Sequence, residues 1–120
     1  KRMRCWMNIK RGDIVLTNLE PVKGSEQGKT RPCLVIQNDI GNEHAATTIV
    51  AAVTSNIENQ YPFTVLVKRG EGNLPKDSLV LCNQIRTISK EQRIQRKIGS
   101  INPETMRKVD AALKVSLALG

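Results

Sequence analysis

The chain has 120 residues, the size of one domain, and its 19 Lys and Arg against 11 Asp and Glu give a formal net charge of +8. This charge indicates a polyanionic partner, while an aromatic content of 2% disfavours an RNA-binding sheet that works mainly by base stacking. A single histidine, His44, excludes a two-histidine acid–base pair and a His-rich zinc site within one chain, and we expect neither a metal nor a cofactor.

The predicted elements begin with strands rich in β-branched and large apolar residues. These strands cover residues 13–19, 33–37, 47–54, 61–67 and 78–82, with 97–101 as a sixth candidate. The stretch around Gly41 and Asn42 is interpreted as a loop, because both residue types interrupt regular elements. Tyr61 and Phe63 alternate along the fourth strand and are expected to serve core or dimer packing rather than to receive a base.

Helix signals come late in the chain. Ser89-Lys90-Glu91-Gln92 has the spacing of a capping box and predicts a short helix. Asn102-Pro103 predicts a second start, with an Asn cap and proline at the first helical position, and Gly120 is expected to end this helix. Its apolar face is formed by Met106, Val109, Leu113 and Leu117. The order of elements therefore predicts a mostly β, α+β fold with a short helix and a C-terminal helix.

Cysteine usage and the chain start suggest one domain in a reducing compartment. Cys5, Cys33 and Cys82 form no C-x-x-C pair, which excludes zinc ribbons and thioredoxin-like motifs, and we expect buried or idle thiols in a cytoplasmic protein. No apolar run approaches the roughly 20 residues of a membrane helix. Residues 1–6 are interpreted as a basic extension ahead of a natural start at Met7, and residues 7–120 as a single domain.

The segment from Gly24 to Thr30 resembles a phosphate-binding loop but fails two of its requirements. Only three residues separate Gly24 from Gly28 where four are needed, and a β-like run rather than a helix follows. We therefore reject nucleotide hydrolysis as the function of this chain. What remains is a long polar loop that leads to Arg31, either as an ordinary connection or, given its length, as a functional loop.

Several motifs together resemble the MazF/PemK family, the ribosome-independent mRNA-interferase toxins of bacterial toxin–antitoxin pairs. Arg11-Gly12-Asp13, Gly24-Ser25-Glu26-Gln27-Gly28, Arg31-Pro32 and Gln84-Ile85-Arg86-Thr87 occur in this order along the chain. The likeness covers residues 8–119, and its combination of motifs is far more specific than any one of them. It implies a small SH3-like barrel of the MazF/CcdB toxin type, with appended helices, that forms a homodimer.

The resemblance also implies an activity, a substrate and a partner. The activity is metal-independent cleavage of single-stranded RNA at short sequence motifs, which leaves a 2′,3′-cyclic phosphate and a 5′-hydroxyl. The partner is a cognate antitoxin whose acidic and apolar C-terminal tail covers the RNA groove. Arg31 and Thr54 match the family's catalytic arginine and threonine. Expected RNA-binding residues are Gly24, Ser25, Glu26, Gln27, Lys29, Ser55, Gln84 and Arg86.

The residue types agree with this chemistry but leave the general base unassigned. The guanidinium of Arg31 can donate two parallel hydrogen bonds to phosphate oxygens, and Thr54 can donate one more. Arginine has a pKa above about 12, so it is a costly base near neutral pH. Glu26 is the carboxylate to test, unless it is merely a solvated loop acid. A non-enzymatic CcdB-like poison of DNA gyrase on the same fold, and a plain RNA-binding barrel, are the alternative functions.

Overall fold

A computed structural model describes residues 8–21, 23–26 and 29–120 of the chain. The strands in these ranges are β1 (Asp13–Asn18), β2 (Thr30–Val35), β3 (Thr47–Thr54), β4 (Thr64–Val67), β5 (Ser78–Ser89) and β6 (Ile94–Ser100). The helices are α1 (Asp39–His44), α2 (Lys90–Arg93) and α3 (Pro103–Ser116), with a 3₁₀ turn over Glu71–Asn73. The six described strands form one antiparallel sheet in the order β4-β5-β3-β2-β1-β6, which confirms the mostly β, α+β prediction.

Strand positions follow the prediction more closely than strand ends do. β3 has the predicted bounds, whereas β2 begins three residues earlier and β4 begins at Thr64 instead of residue 61. The largest difference is β5, which continues to Ser89 instead of ending at residue 82. The predicted strand ends just before two polar residues, Asn83 and Gln84. In the structure β5 passes these residues in a bulge and resumes pairing with β3 at Ile85.

The loop predicted around Gly41 and Asn42 is wrong, because α1 forms there. The side chain of Asn38 accepts a hydrogen bond from the Gly41 N–H at 2.8 Å and caps the helix. Asn42 is buried, and its amide bonds the Gln37 carbonyl at 2.9 Å and the Thr48 hydroxyl at 2.6 Å. These bonds satisfy a polar side chain in the interior and hold α1 against β3.

The two late caps are confirmed. Ser89 Oγ accepts a hydrogen bond from the Gln92 N–H at 3.2 Å and opens α2. Asn102 Oδ1 accepts one from the Thr105 N–H at 2.8 Å and opens α3. No helix within the described ranges has the length and apolarity needed to cross a membrane.

The predicted apolar face of α3 is correct except at its end. Val109 is buried, and Met106 and Leu113 pack against the core. Leu117 is 55% exposed and lies just after the helix, which ends at Ser116 rather than at Gly120.

Two apolar clusters stabilise the sheet, one on each face. The helix-side core lies under α3 and consists of Ile14, Leu34, Ala51, Val53, Val65, Val67, Leu74, Val80, Cys82, Ile101, Val109 and Ala112. The loop-side core consists of Ile9, Val15, Leu19, Cys33, Val35, Val50, Ala52, Ile88 and Ile94. The strands alternate between the two cores as the period of two requires, so Leu34 belongs to one and Cys33 and Val35 to the other.

The expectation of buried thiols holds for the two cysteines that the structure describes. Cys33 and Cys82 are free and buried, and burial raises the pKa of each thiol to about 11. Both are therefore neutral at physiological pH and behave as small apolar residues. Cys5 and the proposed extension at residues 1–6 lie outside the described residues.

Candidate active site

Three hollows of the described surface are lined in part by residues of β3 and β5. The Arg31 hollow has a volume of about 390 Å³. Its lining is Lys29, Thr30, Arg31, Pro32, Val53, Ser55, Leu74, Pro75, Lys76 and Ser78. Arg31 is half-buried and lines this hollow together with two exposed lysines, Lys29 and Lys76. Three cationic residues around one hollow favour the binding of phosphate groups.

Lys76 is the member of this group that sequence reasoning missed. It stands directly before Asp77-Ser78, where β5 begins, and the sequence offers only this adjacency as a signal. The chain fold, rather than any local motif, brings it to the hollow that Arg31 and Ser55 line. Its position adds one phosphate-binding candidate to the predicted set.

The Thr54 hollow adjoins the last residue of β3 and has a volume of about 220 Å³. Its lining is Thr54, Asn56, Asn59, Tyr61, Phe63, Thr64, Leu79, Leu81, Asn83 and Gln84. Thr54 Oγ1 accepts a hydrogen bond from the Asn56 N–H at 3.2 Å. Because the oxygen is the acceptor in this bond, the hydroxyl proton is left to donate to a substrate oxygen.

The two predicted catalytic residues lie on neighbouring antiparallel strands, two positions beyond the last recorded pair between β2 and β3. Cys33 pairs with Ala52, and the strands run antiparallel, so two further steps in the same register lead to Arg31 on β2 and Thr54 on β3. Thr54 also lies between Val53 and Ser55, both of which line the Arg31 hollow. Arg31 and Thr54 line different hollows, and residues on either side of Thr54 line the hollow of Arg31.

The Arg86 hollow brings three of the predicted RNA-binding residues together. Its volume is about 250 Å³, and its lining is Leu19, Glu26, Cys33, Val50, Ala52, Asn83, Gln84, Ile85 and Arg86. Glu26 comes from the loop, while Gln84 and Arg86 come from β5. A carboxylate, an amide and a guanidinium thus surround a floor that the loop-side core provides.

The bulge in β5 explains how Asn83 and Gln84 reach both the Thr54 hollow and the Arg86 hollow. Ala51 pairs with Ile85, but the next residue, Ala52, pairs with Leu81, so β5 contains three extra residues at this point. A bulge bends its strand and redirects side chains, and bulges are frequent beside functional sites. Here the extra residues include the two amides that line both hollows.

The pKa of the Cys33 thiol responds to two positive charges in this region. Burial raises the pKa of its thiol, while a hydrogen bond with Thr17 and the charges of Arg86 and Arg31 act in the opposite direction. Both guanidinium groups therefore act electrostatically on one buried sulfur. A positive field of this kind stabilises negative charge that develops in a reaction.

Arg86 and Arg93 bind the loop rather than facing only solvent. Arg86 Nη1 donates to the Leu19 carbonyl at 2.6 Å, and Arg93 Nη1 donates to the carbonyls of Asn18 and Glu20. A guanidinium has five N–H donors, so Arg86 retains donors for a second partner. In addition to its predicted role in RNA binding, Arg86 therefore has a structural role, because it holds the start of the loop.

The loop itself is closed at its base and turned at its tip. The Leu19 N–H donates to the Lys29 carbonyl at 2.9 Å, which closes the base. At the tip, Glu26 Oε1 accepts from the Lys23 N–H at 2.9 Å, and Gly24 has a φ of +60° that favours glycine. Ser25 is exposed beside it. Gln27, which is also a predicted RNA contact, lies outside the described residues.

Tyr61 and Phe63 lie before β4, which begins at Thr64, instead of alternating within a strand. Tyr61 is 52% exposed, so the expectation of core packing is wrong for its ring, while packing between two copies of the chain stays a prediction. Their rings stack with centroids 5.1 Å apart and an interplanar angle of 11°.

Within the described ranges, no group of three or more His, Cys, Asp or Glu side chains is arranged to hold a metal ion.

Comparisons with known proteins agree on one family for this chain. Residues 10–117 match the family described as PemK-like, MazF-like toxin of type II toxin–antitoxin system. The chain is 50% identical over 114 residues to Endoribonuclease EndoA of Bacillus subtilis (strain 168), covering 94% of this chain and 97% of that protein.

Solved structures share the fold at lower identity. One is an endoribonuclease in complex with its cognate antitoxin from a Mycobacterial species, with a TM-score of 0.78 and 23% identity over 94% of this chain and 98% of that one. Another is MazF from Deinococcus radiodurans, with a TM-score of 0.78 and 24% identity over 92% of this chain and 97% of that one.

Proposed function

We propose, since this chain belongs to the family of PemK-like, MazF-like toxins of type II toxin–antitoxin systems, that it is a sequence-specific endoribonuclease that cuts single-stranded RNA. A relative named as an endoribonuclease is 50% identical to it. The observation that carries the proposal is the position of Arg31 and Thr54 on neighbouring strands, next to a hollow lined by Lys29 and Lys76. A charged fork, a hydroxyl and two further cations suit a phosphodiester substrate.

The reaction that these side chains support is attack of the ribose 2′-hydroxyl on the adjacent phosphate. The bond between O2′ and phosphorus forms, the bond between phosphorus and O5′ breaks, and the products are a 2′,3′-cyclic phosphate and a 5′-hydroxyl. Negative charge builds on the phosphate oxygens in the transition state. Arg31 donates paired hydrogen bonds to these oxygens, and Thr54 donates its hydroxyl proton to the same group.

Two protons move in this reaction, one from the 2′-hydroxyl and one to the leaving O5′. Arg31 suits the second transfer, because it is protonated at neutral pH. Its use as the base would require about 5 pKa units, or roughly 7 kcal/mol. Glu26 lies in the Arg86 hollow next to the site and is the carboxylate that we propose to test as the base.

The same surface suits the proposed protein partners. We propose that the chain acts as a homodimer in the cytoplasm, where mRNA is available, and that a cognate antitoxin inhibits it. An acidic and apolar antitoxin tail complements a chain of net charge +8 whose hollows combine cations with an apolar floor. A tail in these hollows would exclude RNA directly.

The function is tested by incubating the purified chain, its Arg31→Ala variant and an Arg107→Ala control with a long single-stranded RNA. Arg107 is an exposed arginine of α3, so its loss removes the same charge away from the site. We expect discrete cuts by the parent chain and the control and nearly none by Arg31→Ala. RNA left intact by the parent chain would contradict the proposal and favour a protein-binding poison of the CcdB type.

A further inference from the structure

The Thr54 hollow differs in chemistry from the Arg31 hollow beside it. The side chains that line it are all uncharged, and they combine amides and hydroxyls with two aromatic rings. The Arg31 hollow, in contrast, contains three cations. A nucleotide carries a charged phosphate and an uncharged base, and the two hollows match these two parts in the chemistry of their linings.

We propose that the stacked rings of Tyr61 and Phe63 form a subsite for one nucleobase of the RNA, next to the nucleotide whose phosphate reacts at Thr54. This inference rests on the proposed ribonuclease function and adds to it a residue pair that positions substrate. Tyr61 is 52% exposed although it is a large aromatic residue, and it lines the same hollow as Thr54. Stacking on an aromatic ring is a general way to hold an unpaired base.

The backbone holds this pair in place before any ligand arrives. The Tyr61 N–H donates to Thr64 Oγ1 at 2.9 Å, and both the hydroxyl and the N–H of Thr64 donate back to the Tyr61 carbonyl at 2.9 Å. The Cys82 N–H donates to the Phe63 carbonyl at 3.0 Å, which ties the second ring to β5. Pro62 between them has a fixed φ. A rigid ring pair loses little conformational entropy when a base binds.

The hollow also has groups that can distinguish one base from another. Asn56, Asn59 and Asn83 line it, and an amide offers both a donor and an acceptor to a base edge. The side-chain Oδ1 of Asn56 already accepts a hydrogen bond from the Glu58 N–H at 3.1 Å, which fixes the orientation of its amide group. A volume of about 220 Å³ is below the roughly 300 Å³ of the smallest drug-sized pockets, which suits a single base.

The test uses an RNA oligonucleotide that carries the cut sequence once it has been mapped, with 2′-deoxyribose at the reacting nucleotide so that it binds without being cut. 2-Aminopurine replaces one base at a time around the scissile phosphate, because its fluorescence falls when it stacks on an aromatic ring. We expect quenching by the parent chain at one position next to the cut. Tyr61→Ala removes that quenching and weakens binding roughly 5- to 100-fold.

Three further variants make the result specific. Tyr61→Phe retains an aromatic face and keeps affinity within about twofold, whereas Tyr61→Leu retains apolar volume without the ring and loses the quenching. Ile40→Ala, which truncates a residue of α1 that is 78% exposed, leaves both readouts unchanged. In cleavage assays Tyr61→Ala raises KM more than it lowers kcat, because the ring binds a base and touches no reacting atom.

Several results would overturn the subsite while leaving the ribonuclease intact. RNA cleavage by the parent chain, with no quenching at any position or with equal binding by Tyr61→Leu, would do so. A change of oligomeric mass in Tyr61→Ala would instead assign the rings to contact between two copies of the chain. Loss of antitoxin binding with RNA binding unchanged would assign them to the protein partner. RNA that the parent chain leaves uncut contradicts the proposed function itself.

Discussion

Arg31 is the residue whose geometry and charge can be separated by substitution. Arg31→Lys keeps one positive charge but replaces the planar fork with a single ammonium group, so paired donation to phosphate oxygens is lost. We expect RNA binding close to that of the parent chain and a fall in kcat of about 10²- to 10³-fold, comparable to the loss of a transition-state donor. Single-turnover cleavage and binding of an uncleavable RNA measure the two effects. Arg107→Lys is the control, and equal kcat in Arg31→Lys and the parent chain would contradict the role.

Thr54 is tested by the isosteric change Thr54→Val, which removes the hydroxyl and little else. We expect kcat to fall by about 10²-fold or more and KM to change little, because the hydroxyl acts on the phosphate in the transition state. The change also removes the acceptor of the Asn56 N–H, so thermal unfolding is expected to show a loss of roughly 0.5–1.5 kcal/mol. Thr54→Ser keeps the hydroxyl and should retain most of the activity. Equal loss in both variants would assign the residue to packing.

At the scale of elements, the loop between β1 and β2 depends on arginines that lie far from it in the sequence. Arg93→Ala removes the bonds to the carbonyls of Asn18 and Glu20 at the base of the loop. We expect faster proteolysis within residues 19–29 and a decrease of about fivefold in kcat/KM, the equivalent of roughly 1 kcal/mol of loop order. Arg96→Ala, an exposed arginine of β6, removes the same charge and is the matched control. Equal effects of the two variants would indicate a purely electrostatic role.

The elements also show which parts of the structure were accessible from sequence. β3 and the Asn102 cap were predictable because each depends on residues next to one another along the chain. α1 was missed because Gly41 and Asn42 usually interrupt helices, and only burial of Asn42 among partners from other elements outweighs this tendency.

The candidate site also contains residues that the sequence identified and residues that only the fold brings to the site. Arg31 and Thr54 were assigned through family motifs, and the pairing of β2 with β3 brings onto neighbouring strands two residues that are 23 positions apart in the sequence. Lys76 was missed, and Tyr61 was expected to serve core or dimer packing rather than to receive a base, since nothing local distinguishes either from an ordinary surface or core residue. Their positions depend on how the bulged strand β5 and the turn before β4 fold against β3.

At the scale of the whole molecule, the net charge of +8 has a measurable consequence for RNA binding. Affinity for an uncleavable RNA should fall linearly on a logarithmic scale with salt concentration, with a slope near −0.7 for each phosphate that is contacted on a single strand. Lys76→Ala is expected to make this slope shallower by about 0.7 and to weaken all RNA sequences alike. Lys108→Ala, on the exposed side of α3, is the control that should leave the slope unchanged. An unchanged slope in Lys76→Ala would show that Lys76 does not contact an RNA phosphate.

The most direct test of the central claim is the chemistry of the cut ends in excess EDTA. Attack by the 2′-hydroxyl, with Arg31 and Thr54 stabilising the phosphate, needs no metal ion and no water as nucleophile. We therefore predict discrete cuts in single-stranded RNA that leave a 2′,3′-cyclic phosphate and a 5′-hydroxyl, with a rate that EDTA does not reduce. Ends with a 3′-hydroxyl and a 5′-phosphate, or cleavage that stops when EDTA is added, would contradict this account.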